Sequence, residues 1–242
     1  MSISKDEHIV KRYDQQLAQL RSLVLEMGGL VEDQINRVIT ALDEEDVAAA
    51  REIIARDHLV NGLEVKVDEE CTSLIALRQP LASDQRTIIA MSKAVTDLER
   101  IGDEAARVAR MVVHIYDSSS SPPSNRLFRD VMTMARLASG MLRGSLDALA
   151  RMDAEKAVEV TEGDRELDAE FQAGLRHLAT YMMEDARTIG HAIDVIFMIR
   201  SLERIGDHSK NIAEYVIYLV KGRDVRHTAS IAELEKEALK SG

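Results

Sequence analysis

Leu98-Glu99-Arg100-Ile101-Gly102-Asp103 recurs residue for residue as Leu202-Glu203-Arg204-Ile205-Gly206-Asp207. A chance repeat of that length is improbable, so the chain holds two copies of one structural unit. Each copy sets a Glu and an Asp four residues apart. On a helix those side chains are neighbours on one face, and like charges at that spacing destabilise it by a few tenths of a kcal/mol. A bound cation is one reason for keeping such a pair twice.

Weaker echoes extend the duplication. Ala41-Leu42 followed by Asp46 matches Ala148-Leu149 followed by Asp153, and Asp57 with Asn61 matches Asp164 with Asp168. Arg86-Thr87-Ile88 resembles Arg187-Thr188-Ile189. Composition points to helices throughout. The 242 residues are 45% hydrophobic but only 3% aromatic, with no Trp and three prolines, so Leu, Ile, Val, Met and Ala must build the core. The fold class expected is all-α, two tandem three-helix bundles of antiparallel helices. Helices are expected at about 6–43, 46–78 and 84–116, then 126–150, 153–183 and 187–221, with Asp46 and Asp153 as N-caps and Ser83 or Asp84 capping the third helix. The polar stretch Ser118–Asn125, with Pro122 and Pro123, separates the halves. The domain limits that follow are 1–117, a linker 118–125, 126–222, and a tail 223–242 with a short helix around 231–239.

The third helix of each half carries a bundle seam with alternating spacings of three and four. Met91, Ala94, Leu98, Ile101, Ala105, Val108, Val112 and Ile115 form one, and Val195, Met198, Leu202, Ile205, Ser209, Ile212, Val216 and Leu219 the other. With Leu98 and Ile101 on the seam, Glu99 and Asp103 fall on the outward side, as do Glu203 and Asp207. A ferritin-like di-iron centre needs inward carboxylates and a Glu-x-x-His pair, and no His here has a Glu three residues before it. Antiparallel second and third helices instead place Asp57 and Asn61 beside Glu99 and Asp103, and Asp164 and Asp168 beside Glu203 and Asp207. Asn211 extends the second stripe. Oxygen ligands of this kind suit Mg²⁺, Ca²⁺, Mn²⁺ or iron. The competing reading is a solvated acidic face, with Asp103 paired to Arg107 one turn on; Asp207 has Asn211 at that place, so the second set is the better candidate.

A net charge of −11 argues against nucleic-acid binding. The one cysteine, Cys71, excludes an internal disulfide and fits a core filler in a reducing compartment. The N-terminus lacks the apolar core of a signal peptide, and no apolar run approaches the roughly 18–20 residues of a membrane span, so a cytoplasmic protein is expected. The mid-helix glycines Gly102 and Gly206, like Gly28-Gly29, suggest close helix crossings. No phosphate-binding loop, Ser/His/Asp set or Cys/His set is legible, and the protein is expected not to be an enzyme.

Over residues 10–227 the sequence resembles the PhoU family of phosphate-transport accessory proteins. The resemblance is carried by Met27-Gly28-Gly29-Leu30-Val31-Glu32, Arg78-Gln79-Pro80, Ser83-Asp84, both Leu-Glu-Arg-Ile-Gly-Asp strings, Thr180-Tyr181-Met182-Met183-Glu184-Asp185, Asn211-Ile212-Ala213-Glu214 and Tyr218–Gly222 with Asp224-x-Arg226-His227. It implies two tandem three-helix bundles and a negative regulator of the phosphate starvation response. Such a regulator couples the ATPase subunit of a phosphate ABC transporter to a phosphate-sensing histidine kinase, and meets the membrane only through those partners. The resemblance further implies divalent metal or iron clusters on surface E(D)-x-x-x-D motifs, here Glu99/Asp103, Glu203/Asp207 and Asp164/Asp168; Asp57/Asn61 departs from the motif at Asn61. Amphipathic helices this long favour a homodimer. The alternatives are a metal-binding or metal-storage bundle and a purely structural scaffold.

Overall fold

The computed structural model describes residues 5–78, 80, 82–118 and 124–222. The middle of the expected linker, the whole expected tail and the Asp224-x-Arg226-His227 segment lie outside the described residues. Among the described residues seven α-helices run in order: α1 (Lys5–Asp43), α2 (Val47–Arg56), α3 (His58–Arg78), α4 (Ala82–Ser118), α5 (Arg129–Arg151), α6 (Ala154–Glu184) and α7 (Ile189–Lys221). Short 3₁₀ turns, Asn125–Phe128 and Ala186–Thr188, lead into α5 and α7.

One expected helix is two. The stretch expected to run from 46 to 78 is divided at Asp57, although the Asp57 backbone stays in the right-handed region. The hydrogen-bond ladder loosens there: the Asn61 N–H reaches the Asp57 carbonyl only at 3.5 Å, and the His58 ring takes the Ala55 carbonyl at 2.8 Å. α2 and α3 are one helical arm with a joint at the position singled out for chemistry.

The turns that begin the second helix of each half are copies. α1 ends with Glu45 in the left-handed region (φ 57°), and the Asp46 N–H reaches back to the Ala41 carbonyl at 2.8 Å. α5 ends with Met152 left-handed (φ 54°), and the Asp153 N–H reaches Ala148 at 3.0 Å. These are Schellman-type stops that satisfy the last carbonyls of the helix. The same Asp then caps the next helix: Asp46 accepts from the Ala49 N–H, and Asp153 from those of Glu155 and Lys156.

Both seams are buried as expected, apart from Leu219, which is half-buried. Cys71 is buried among them, its thiol pushed up to about 11 by burial and by Asp68 and Glu70, which suits a filler and not a nucleophile. Within the first half α4 packs on α1, α2 and α3; within the second α7 packs on α5 and α6. The halves meet along two antiparallel helix pairs. In the α4–α7 pair, Glu104 meets Arg204 and Asp97 meets His208, Asn211 and Tyr215. In the α1–α5 pair, Ser139 donates to Asn36 and Arg143 to Glu32. The close approach of α1 and α5 is at Gly28, where an added Cβ would stand 2.4 Å from Leu146 Cδ2; Gly29 has open space instead, so only the first of those two glycines is a crossing. The repeated hexapeptides thus lie opposite each other at the centre of the molecule.

Candidate functional site

Gly206 explains how the acidic side chains of the second half come together. A Cβ there would lie 2.1 Å from Leu167 Cδ2, so the absence of a side chain lets α6 close against α7. Gly102 plays the same part more loosely, facing Val60 of α3 at 3.3 Å. The motif's glycine and its flanking carboxylates are therefore one device: the glycine draws in the neighbouring helix, and the neighbouring helix brings its own acidic pair.

The result is two creases, each with four mutually repelling carboxyl groups. In the α3–α4 crease, burial pushes Glu99 above the ordinary glutamate range, with Asp103, Glu64 and Asp57 adding to the shift and Arg100 opposing it. Burial likewise raises Glu64, helped by Asp68 and Asp103. In the α6–α7 crease burial raises Glu203, helped by Asp207 and Asp168 against Arg200 and Arg204. Burial raises Asp207 too, helped by Asp164 and Asp168 against His208 and Lys210. The structure brings together the expected groups Asp57, Glu99 and Asp103, and the groups Asp164, Asp168, Glu203 and Asp207.

The surroundings differ from the expectation in three ways. First, the carboxylates are not equally solvated: Asp168 and Asp207 stand exposed, as an outward face requires, but others are largely covered. The side chains of Glu99 and Glu203 are 16% and 12% exposed, that of Asp164 is 8% exposed, and Glu203 Oε2 is buried with no hydrogen-bond partner. The neighbouring helix, drawn in by the glycine, covers these three and leaves Asp168 and Asp207 open to solvent. Second, Arg107 turns to Glu104, at 3.1 Å, instead of pairing with Asp103. Third, Asn211 does not join the second stripe: its amide donates to Asp97 of α4 at 3.0 Å.

Two participants escape a reading of the repeated motif alone. Glu64 of α3 adds the carboxylate that Asn61 fails to supply, three residues further along the same helix. Lys210 of α7 places its ammonium on the buried Asp164 Oδ2; burial works against that charge, yet the hydrogen bond and the charge of Asp164 leave Lys210 raised. The two creases are therefore unequal. Asp57 receives the neutral amide of Gln34 at 3.0 Å where Asp164 receives an ammonium, and Arg200 holds Glu203 at 2.7 Å where Glu99 has only the exposed Arg100 at 3.5 Å. Among the described residues, no three Asp, Glu, His or Cys side chains are gathered tightly enough to hold a metal ion as they stand. The second crease satisfies part of its charge with the chain's own cations.

Comparison with known proteins agrees with the duplication. The model of the PhoU domain matches twice, over residues 24–112 and 131–216. The chain is 47% identical over 224 residues to a phosphate-specific transport system accessory protein PhoU homolog of Pseudomonas putida, covering 93% of this chain and 86% of that one. It is 40% identical over 235 residues to the phosphate-specific transport system accessory protein PhoU of Escherichia coli K12, covering 97% and 95%. Among solved structures, PhoU from Pseudomonas aeruginosa superposes with a TM-score of 0.83 at 45% identity, covering 87% of this chain and all of that one. The phosphate transport system regulatory protein PhoU from Streptococcus pneumoniae superposes with a TM-score of 0.79 at 29% identity, covering 88% and 99%. On two matched domains and this identity along nearly the whole chain, the protein belongs to the PhoU family.

Proposed function

We propose that the protein is a negative regulator of the phosphate starvation response, an accessory of a phosphate ABC transporter that holds a phosphate-sensing histidine kinase off when phosphate is plentiful. The observation that carries this reading is the near-full-length identity to accessory proteins of phosphate-specific transport systems. The physics is compatible with it. A protein that works by binding changes its partners only through different affinities for their states, and the two joined bundles offer two faces, one for the transporter ATPase and one for the kinase. No helix among the described residues is long and apolar enough to cross a membrane. In this reading the protein meets the membrane through those partners, from the cytoplasmic side, as a homodimer and without catalytic chemistry.

The acidic creases belong to the same proposal. Asp57, Glu64, Glu99 and Asp103 on one side, and Asp164, Asp168, Glu203 and Asp207 on the other, would hold a divalent cation or an iron cluster after the side chains draw inward and Lys210 leaves Asp164. The role of such a cation is to neutralise the faces that meet the partners.

Alkaline phosphatase activity in phosphate-replete cells with the gene deleted tests the regulatory reading. High activity, returned to the repressed level by the wild-type gene, supports it. Repressed activity in the deletion strain sinks it.

A further inference from the structure

We propose that the groove between α4 and α7 is a binding site for a tetrahedral oxyanion, with inorganic phosphate the ligand it fits. The groove lies between the two acidic creases, is open to solvent with a volume of about 700 Å³, and is lined by Arg100 and Arg107 from α4 and by Arg200, Arg204 and Lys210 from α7. Five long cationic side chains on one groove stand out in a chain whose net charge is −11.

Their arrangement is built, not scattered. Arg107 and Arg204 come from different helices and from different halves, yet each gives one Nη1–H to the same oxygen, Glu104 Oε1, at 3.1 and 3.0 Å. Glu104 is buried, and its second oxygen has no hydrogen-bond partner. A buried carboxylate therefore acts as a post that holds two guanidinium groups side by side at the centre of the molecule. Each guanidinium has five N–H donors, so most of both forks remain for a ligand, and both side chains stay reachable from solvent, at 43% and 42% exposure. Paired arginine forks match the oxygens of phosphate bidentately, which an ammonium does not do. Arg100 and Arg200 add charge on either side, Arg100 resting on Glu99 of the first hexapeptide and Arg200 on Glu203 of the second.

Asp103, Asp207 and Glu214 also line the groove. They oppose an anion, which lowers its affinity and fixes the sign of a second test. The choice of phosphate among oxyanions rests on the function proposed above; the arginine site does not.

Equilibrium dialysis of the full chain against labelled phosphate, with sulfate as competitor, tests the site. Saturable one-to-one binding is expected, weakened about tenfold or more in Arg107→Ala/Arg204→Ala, the scale of one charge-assisted hydrogen bond, and only partly restored in Arg107→Lys/Arg204→Lys. Asp103→Asn/Asp207→Asn, which keeps both arginines and their post, is expected to bind more tightly than wild type. No saturable binding by the wild type, an unchanged affinity in the arginine pair, or an unchanged affinity in the asparagine pair overturns the proposal. If deletion derepresses alkaline phosphatase while the purified chain binds no phosphate, the anion site fails and the regulator stands. If the chain binds phosphate but deletion leaves activity repressed, the regulator fails and the site stands.

Discussion

Glu45 and Met152 occupy the same place in the two halves, and both adopt a left-handed backbone that costs a non-glycine residue about 1–2 kcal/mol. The Asp that follows each was legible as an N-cap, because Asp before a helical stretch is a chemical signal. The strained residue before it was not, because neither Glu nor Met announces a left-handed conformation; only the Schellman geometry imposes it. Glu45→Gly should therefore stabilise the protein by about 1 kcal/mol, less any loss from the wider freedom of glycine in the unfolded chain. A urea midpoint that falls would show that the Glu45 side chain contributes more than its backbone costs. Glu99 supports a second prediction at this scale. Its folded pKa is raised, so the folded state holds that proton more tightly than the unfolded state, in which glutamate titrates near 4.3. The contribution to stability is complete below about pH 4 and is lost as pH climbs through the raised value. Glu99→Gln should gain about 0.5 kcal/mol at pH 8, the scale of a like-charge pair one turn apart, with the gain vanishing toward pH 4. Urea titrations at the two pH values decide it; a variant less stable than wild type at pH 8 would contradict the electrostatic account.

At the scale of the helix, the repeated hexapeptide was sufficient to find the carboxylates, since a four-residue spacing fixes a common face whatever the partner. What the repeat could not disclose is which cations or amides the crease already contains, because these come from side-chain reach and from other helices. Counted along the repeat, Lys210 stands where the first half has Ala106, and Arg200 where it has Thr96. That difference is present in the sequence but becomes meaningful only when Asp164 is seen buried beneath the Lys210 ammonium. The second crease, expected to be the better cation site, is the one that carries its own tethered cation. Lys210→Ala should thus cost about 2 kcal/mol, because it strands a buried carboxylate. The loss should be reversible by a divalent cation: Mn²⁺ is expected to raise the melting temperature of Lys210→Ala more than that of the wild type. Equal shifts in the two proteins would mean that Lys210 and the metal do not compete for one site.

At the scale of the molecule, the Ser- and Pro-rich segment suggested two bundles joined by a tether, and nothing in the periodicity foretold how firmly they are joined. The seam pattern identifies the side of α4 and α7 that faces each bundle's own core, whereas the contact between the halves uses the polar stripe beside it. Asp97 is the centre of that contact. It is buried on α4 and accepts from three side chains of α7: His208 at 2.7 Å, Asn211 at 3.0 Å and Tyr215 at 2.8 Å. Asn211, whose spacing had placed it on the acidic stripe, is diverted to this role because a buried carboxylate with free lone pairs is the stronger claim on its amide. The clamp lies one turn or two from the Arg107–Glu104–Arg204 cluster on the same helix pair, so the geometry of the central groove depends on the halves being held in register. Asp97→Ala removes the shared acceptor and leaves three donors without it, at a cost of about 3 kcal/mol. If each bundle is held by its own helix packing, the loss should be concentrated at the α4–α7 contact rather than spread through the one apolar cluster that runs across both halves. Hydrogen exchange would show faster exchange in the middle of α4 and α7 with the protection of α1 and α6 retained, while Asp97→Asn, which still accepts through Oδ1, should lose about half as much stability. Uniformly faster exchange in Asp97→Ala would mean that the two bundles do not stand on their own cores, and that Asp97 supports a single cooperative unit built from both.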